Sequence, residues 1–556
     1  EAYGIRHVVT SPGSRNAPLI MAFSRRNAFK VHSVIDERSA AFIALGIAEI
    51  TGDPVALVCT SGTAVLNYSP ALAEAFYRNL PLIAISADRP VEWIDQNDSQ
   101  TIRQAGALSN IVRKSIDIRA ELFSEEEIWY ANRILSDAMH SALCGVRGPV
   151  HINVGLSMPL TNTISVDGNT QIARFNKIGW IGYSDRISTS LARDLASHCI
   201  DKRIMIVCSV QEPDASLNRA LGQLASLPNV VVVAEETANI HAKGIHSQCD
   251  LLFALTREKE YDILSPDLLI SFGGSIVSAN LKRFLRNPRI TEHWHVGETD
   301  RSIDCFKKLS TRVEISPVGF FPRFASAMSH LCKYQNCPNE YAAIWSGHAR
   351  NILDSVKNRL KIQYKTAPWN ALLIIDKIIN SIPSCWNLQL SNGMSVRYAL
   401  ACDKTNKMHR IDCNRGVSGI DGSISTAIGA ASVFNGVTLL ITGDMSMQYD
   451  IGALSSNLLS NRIKIIVFNN GGGGIFKFVK TTCNLPERDK YFCCGNNLPL
   501  EKIADAYGFK YFKAKCMEEL ENSLKDFIET NTVPVILEVF TDSTTDTRAY
   551  REISGK

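Results

Sequence analysis

Residues 437–474 constrain the fold more than any other stretch. The apolar run Val-Thr-Leu-Leu-Ile-Thr at 437–442 stops at Gly443 and Asp444. A helix-like segment at 450–459 follows. A second apolar run at 463–468 then stops at Asn469-Asn470 and the glycines Gly471 to Gly474. Two buried-strand patterns joined by one helix predict a parallel βαβ unit. Both polar pairs then emerge at the carboxyl ends of neighbouring strands, where open α/β sheets bind ligands. An Asp carboxylate, an Asn amide oxygen and loop carbonyls are hard oxygen donors, suited to a Mg²⁺ shared with a phosphate. Two turn-forming polar pairs in an ordinary sheet would give the same local pattern, so the rest of the chain has to decide.

A chain of 556 residues is too long for one core, and its length suggests about three or four domains. Hydrophobic content of 45% and a net charge of only +4 fit a globular protein whose main partner is not nucleic acid. No apolar run reaches a membrane span and no signal peptide opens the sequence. The 15 cysteines are scattered and form no CxxC pair, which points to a reduced, cytoplasmic setting. Glu1 to Ile5 read as the end of a helix running into a strand, so a helix is expected upstream.

Strand patterns at 4–10, 31–35, 54–59, 81–86 and 149–154 alternate with helices at 40–50, 66–78 and 124–143. A polar linker is expected at 161–177. A second α/β region has strands at 204–210, 230–234, 268–272 and 293–296. A helix at 341–360 follows a boundary near 330–339. The third region has a helix at 369–382, a strand at 388–390, a small-residue helix at 425–434, the βαβ stretch, helices at 501–508 and 517–529, and a strand at 533–539. The expected fold is α/β, with three doubly wound open-sheet domains at 1–165, 180–335 and 345–556.

Strand ends carry the chemistry. Ser11-Pro-Gly-Ser-Arg15 places hydroxyls, backbone N–H groups and a guanidinium at a strand-to-helix turn, an anion seat. Glu37 lies just past the strand at 31–35, in Asp36-Glu-Arg-Ser-Ala-Ala41. Other clusters are Thr60-Ser-Gly-Thr-Ala64, Ala87-Asp-Arg-Pro90, Asn414-Arg-Gly416, Ser418-Gly-Ile-Asp-Gly422 and Gly471-Gly-Gly-Gly-Ile-Phe476. The Asp444/Asn470 arrangement resembles the metal–diphosphate motif of thiamine-diphosphate (ThDP) enzymes. Together the segments resemble the 2-succinyl-5-enolpyruvyl-6-hydroxy-3-cyclohexene-1-carboxylate synthases, ThDP enzymes of menaquinone biosynthesis. The likeness covers nearly the whole chain and is weakest in the middle region.

The resemblance implies the ThDP-decarboxylase architecture, with pyrimidine-binding, middle and diphosphate-binding domains. It implies decarboxylation of 2-oxoglutarate and a Stetter-like 1,4-addition of the succinic semialdehyde unit to isochorismate. Glu37 would face N1′ of the aminopyrimidine. Asp444, Asn470 and the Gly472 carbonyl would hold Mg²⁺ or Mn²⁺, with Gly443, Met445, Ser446 and the wedge Ile420 against the cofactor. Two dicarboxylates require guanidinium forks, and Arg15, Arg89, Arg397 and Arg415 sit at strand ends. Ser14 and Gln100 would join Arg15 and Arg89 on the first-domain side. Lys282, Ile475 and Phe476 complete the set, with Gln100, Arg397 and Arg415 nearest the reaction. In the family Glu37 and the diphosphate motif act across a subunit interface, which implies a homodimer or homotetramer.

The sequence departs from the family at four places. Gly393 replaces a serine, Ala279 stands where a lysine is usual and Lys282 follows it, Gly471 replaces a third asparagine, and Ser99 replaces an asparagine. One lost charge-assisted hydrogen bond costs about 1.5–3 kcal/mol. The departures lead to an expectation of weakened 2-oxoglutarate handling, or of compensation by Ser391, Ser395 or Lys282. Two alternatives stay open on sequence. A different ThDP 2-oxoacid decarboxylase or carboligase would prefer pyruvate. A non-catalytic homologue would bind ThDP without turnover.

Overall fold

The structure, a computed structural model, describes residues 1–161, 177–179, 185–334, 340–495 and 498–555. The linker expected at 161–177 lies outside them except at its two ends, as does 335–339 of the second boundary. Glu1 to Gly4 form a turn closed by the Gly4 N–H on the Glu1 carbonyl, 3.0 Å.

Eighteen strands among the described residues form three six-stranded sheets. The first contains β1 (His7–Thr10), β2 (Lys30–Ser33), β3 (Val55–Cys59), β4 (Leu82–Asp88), β5 (Lys114–Arg119) and β6 (Val150–Gly155), in the order 2-1-3-4-6-5. The second contains β7 (Ile204–Cys208), β8 (Val230–Ala234), β9 (Ile245–His246), β10 (Leu268–Phe272), β11 (Glu292–Val296) and β12 (Leu309–Val313), ordered 12-11-10-7-8-9. The third contains β13 (Asn387–Leu390), β14 (Arg410–Cys413), β15 (Thr438–Gly443), β16 (Ile463–Asn469), β17 (Lys510–Ala514) and β18 (Val535–Phe540), ordered 14-13-15-16-18-17. The sheets are parallel, and the strand order reverses near the middle of each. Those reversals lie between β1 and β3, β7 and β10, and β13 and β15, and ligand crevices open at such points. Ser11–Arg15, Thr60–Ala64, Asn392 and Asp444 all follow strands that flank a reversal.

The middle sheet shows why the central strands read as unbroken apolar runs. Ile204, Ile206, Val230 and Val232 pack into one core cluster. Their neighbours Met205, Val207, Val231 and Val233 pack into another. A sheet covered on both faces demands an apolar residue at every position.

By contacts the chain divides into two compact units. The first comprises Glu1–Gly182, Gly416–Thr438 and Ser446–Ile463, and the second the remainder. Within the first, the helices Glu37–Thr51 and Ser423–Val433 cross at glycines. A Cβ on Gly46 would stand 2.0 Å from the Thr426 carbonyl oxygen, and one on Gly429 2.1 Å from that of Ile43. Backbone-to-backbone packing of this kind fixes the helix that begins with Glu37.

Some expected elements shift. The helix expected at 450–459 is replaced by the helix Asp444–Tyr449 and a 3₁₀ turn Ile451–Ser455. Asp450 is wholly buried and accepts from the Ser425 N–H (2.7 Å) and hydroxyl (2.8 Å), so it tethers the chain instead of continuing a helix. Asp444 therefore opens a helix directly at the end of β15. Glu37 likewise is the first helical residue, its helix capped by Asp36.

Candidate active site

In the first unit, Asp36 accepts the Arg38 N–H at 2.9 Å, a side-chain N-cap that leaves the Glu37 carboxylate free of the capping role. Glu37, Asp98 and Gln100 line one cleft of about 350 Å³ with the loop 60–64. Arg89 ion-pairs with Asp98 at 3.2 Å and donates to the Ser99 carbonyl at 2.8 Å. Ser99 thus serves through its backbone, which an asparagine would do equally. Arg15 is buried, donates to the Leu156 carbonyl at 2.8 Å, and is pushed below its ordinary pKa by burial and then by Arg89. Ser14 is exposed beside it. The loop carrying half-buried Ile420 is held by Glu74, whose two oxygens accept the Gly416 and Val417 N–H groups at 2.7 Å each. The Ser446 hydroxyl donates to the Ile420 carbonyl at 2.6 Å.

Sequence reasoning missed Gln104, which is fully buried. It accepts the Gly62 N–H at 2.8 Å and donates to Asn153 at 3.0 Å, and Asn153 donates in turn to Asp88 and Asp117 at 2.8 Å. The loop under the cleft is thereby tied to three strands. A lone glutamine in a polar loop carries no pattern that would have revealed it.

In the second unit, Gly443 ends β15 and Asp444 follows, 2% exposed. The Asp444 oxygens accept the Met445 and Gly472 N–H groups, both at 2.8 Å. Burial nevertheless pushes the carboxyl up to about 6. Of the two asparagines, Asn469 donates to Glu538 at 2.6 Å and is committed to the sheet. The side-chain oxygen of Asn470 is buried with no hydrogen-bond partner. An orphaned amide oxygen next to a buried carboxylate and a glycine-loop carbonyl is an all-oxygen set that fits a hard divalent cation. Met445 is half-buried, as are Ile475 and Phe476, whose one-turn helix leaves them out of the core.

Three cations gather in the same unit. Arg415 is buried. It donates to the Asn392 side-chain oxygen at 3.0 Å and reaches the Ile276 carbonyl at 3.4 Å, and its Nε has no partner. Arg397 donates to the Gly393 carbonyl. Burial and then the Arg415 charge hold both the Arg397 guanidinium and the Lys282 ammonium below their ordinary values. Lys282 therefore occupies the field of Arg415 although the sequence shifts it three positions past Ala279. Of the other proposed compensators, Ser391 is fully buried and donates to Thr442 at 2.6 Å. The backbone at Gly393 has φ +103°, which a serine would adopt only with strain.

Two acids in this neighbourhood were overlooked, although β8 visibly ends at Glu235-Glu236. Both are buried, and burial lifts Glu235 to about 7 and Glu236 to about 8. A folded-state pKa above the unfolded value of roughly 4.3 gives stability that is present below that value and lost as pH rises through 7–8. Glu236→Gln is therefore expected to raise Tm by a few degrees at pH 8 and to change it little at pH 5, checked by melts across that range.

Residues 1–107 match the family model "Thiamine pyrophosphate enzyme, N-terminal TPP binding domain" and 391–539 match "Thiamine pyrophosphate enzyme, C-terminal TPP binding domain". The 2-succinyl-5-enolpyruvyl-6-hydroxy-3-cyclohexene-1-carboxylate synthase of Porphyromonas gingivalis is 39% identical, over 97% of this chain and 92% of that protein. The enzymes of the same name from Christiangramia forsetii and Desulfotalea psychrophila are 36% and 35% identical, over 97% and 98% of this chain and 94% and 97% of theirs. With an Asp444/Asn470 donor set after β15 and β16, Glu37 opening its helix, and full-length identity at this level, the chain belongs to the ThDP-dependent 2-succinyl-5-enolpyruvyl-6-hydroxy-3-cyclohexene-1-carboxylate synthase family.

Proposed function

We propose that this enzyme decarboxylates 2-oxoglutarate and adds the succinic semialdehyde unit to isochorismate, giving 2-succinyl-5-enolpyruvyl-6-hydroxy-3-cyclohexene-1-carboxylate and CO₂ for menaquinone biosynthesis. The observation that carries the reading is that Arg415 and Arg397 bond to the adjacent residues Asn392 and Gly393, Lys282 lies on the helix that follows Arg415's Ile276 anchor, and the Arg415 Nε has no partner. Repelling cations are brought together at a cost that an anionic ligand offsets, and guanidinium forks match carboxylates.

When bound, ThDP supplies the carbon nucleophile and the electron sink. Glu37 holds a proton at N1′ of its pyrimidine. Asp444, the Asn470 side-chain oxygen and the Gly472 carbonyl hold Mg²⁺ or Mn²⁺ for the diphosphate, beside Gly443, Met445 and Ser446. Arg397, Arg415 and Lys282 orient substrate carboxylate. Ser14, Arg15, Arg89 and Gln100 bind the second dicarboxylate. Ile420 seats the cofactor, and Ile475 and Phe476 line the substrate pocket and exclude water.

The reading includes a pyrimidine-binding domain at 1–165, a middle domain at 180–335 and a diphosphate-binding domain at 345–556. One six-stranded sheet in each supports that division. It also includes a homodimer or homotetramer with the site at the subunit interface. No helix among the described residues is long and apolar enough to cross a membrane. The scattered free thiols support a cytoplasmic setting.

A coupled assay tests the activity. CO₂ release and isochorismate consumption are expected with ThDP and Mg²⁺ and absent without ThDP. Turnover of pyruvate in preference to 2-oxoglutarate, or ThDP binding with no turnover of either, would overturn it.

A further inference from the structure

The segment 276–278, between β10 and the helix Ala279–Leu285, is buried throughout and bears on both Arg415 and the start of the helix that carries Lys282. Its Ile276 carbonyl anchors Arg415. Ser278 caps the helix that carries Lys282 by accepting the Leu281 N–H at 3.0 Å. The Ser278 hydroxyl donates to Asp250 at 2.7 Å, and Asp250 also accepts the Tyr550 hydroxyl at 2.9 Å.

Glu235 clamps this segment. It is 1% exposed, directly after β8. One carboxylate oxygen accepts the Val277 N–H at 2.8 Å and the other the Ser278 N–H at 2.7 Å. Two consecutive backbone donors on the two oxygens of one side chain need a carboxyl group, with an acceptor on each oxygen. An amide offers a single acceptor oxygen, and its NH₂ would confront the second N–H. The bonds also occupy Glu235, which forms no ion pair with Arg415 or Lys282 among the described contacts, so their donors stay available to a ligand. A buried ionisable group is costly to keep, and a loop could be closed more cheaply by an acceptor that never ionises. Its placement makes sense where the position of Ile276 and of Lys282's helix start has to be exact to a fraction of an ångström.

Resting on the carboxylate-binding reading given above, we infer that Glu235 is a positioning residue for the substrate carboxylate: by clamping Val277 and Ser278 it sets where Arg415 and Lys282 present their donors. Its effect falls on substrate affinity and leaves the cofactor alone.

The test measures KM for 2-oxoglutarate, kcat and ThDP affinity in Glu235→Gln, Glu235→Asp and Arg415→Ala, with melts to verify folding. Glu235→Gln is expected to raise KM about tenfold, roughly one charge-assisted hydrogen bond. kcat should stay within about threefold and ThDP affinity should be unchanged. Glu235→Asp, which keeps two acceptor oxygens, should recover part of the loss. A KM unchanged in Glu235→Gln while Arg415→Ala raises it overturns the inference and leaves the carboxylate reading standing. A KM unchanged in Arg415→Ala sinks that reading, and the inference with it. If Glu235→Gln does not fold, Glu235→Asp decides, and an ordinary KM there overturns the inference.

Discussion

Glu37→Gln is expected to lower kcat by on the order of a thousandfold, within the range usual for a positioned proton-transfer group. Its ThDP affinity should fall by no more than about tenfold, the worth of one hydrogen bond. The substitution keeps the side chain's size, and the helix cap depends on Asp36 rather than on Glu37, so the fold has no reason to change. What is lost is the carboxylate that can share a proton with a ring nitrogen. Single-turnover CO₂ release, read beside ThDP titration and circular dichroism, separates the two effects. Activity within threefold of wild type would remove Glu37 from the mechanism.

The second large effect concerns Asp444→Asn. Loss of the only carboxylate in the proposed donor set should weaken Mg²⁺-dependent ThDP binding by on the order of a hundredfold, about 2.7 kcal/mol. The apo protein should melt no earlier than wild type. Burial already lifts the Asp444 carboxyl to about 6, so its charge gives the ligand-free fold nothing near neutral pH, and an amide oxygen can still accept the Gly472 N–H. Thermal shifts with and without ThDP and Mg²⁺ check both halves. An undiminished ligand-induced shift would exclude Asp444 as a metal ligand, and a collapsed apo Tm would make its role structural.

The strands that the sequence concealed share one property. β5, β9, β12, β14 and β17 all stand at sheet edges. An edge strand has a neighbour on one side only and is seldom covered on both faces, so its residues need not be uniformly apolar. β12, Leu-Ser-Thr-Arg-Val, and β17, Lys-Tyr-Phe-Lys-Ala, are largely exposed or half-buried. β14 is buried but reads Arg-Ile-Asp-Cys, its charges paired as Arg410–Asp412 at 2.7 Å. The helix expected at 450–459 failed for a different reason, because Asp450 is spent on Ser425.

For the site, the residues at central strand ends were legible because glycine, acid and amide clusters interrupt apolar runs there. Asp444, Asn470 and Arg15 were placed in this way, whereas Glu37 and Arg415 follow the edge strands β2 and β14. Which asparagine keeps a bare oxygen was not legible, since it depends on Glu538 two strands along in the sequence. The role open to Lys282 in place of the lysine missing at 279 depends on the helix start at Ser278 and on Arg415 folding back from the third sheet region. Gln104 and Glu235 depend on partners that are distant in the chain.

The βαβ stretch at 437–474 thus determined the parallel architecture, and together with the other strand-end clusters it pointed to the cofactor class, because strand periodicity and the residues at strand ends are local properties. The tertiary structure alone decided which side chains are buried, which lone pairs are left unbonded and which charges face one another. Those depend on contacts between residues hundreds of positions apart, and no local pattern in the chain encodes them.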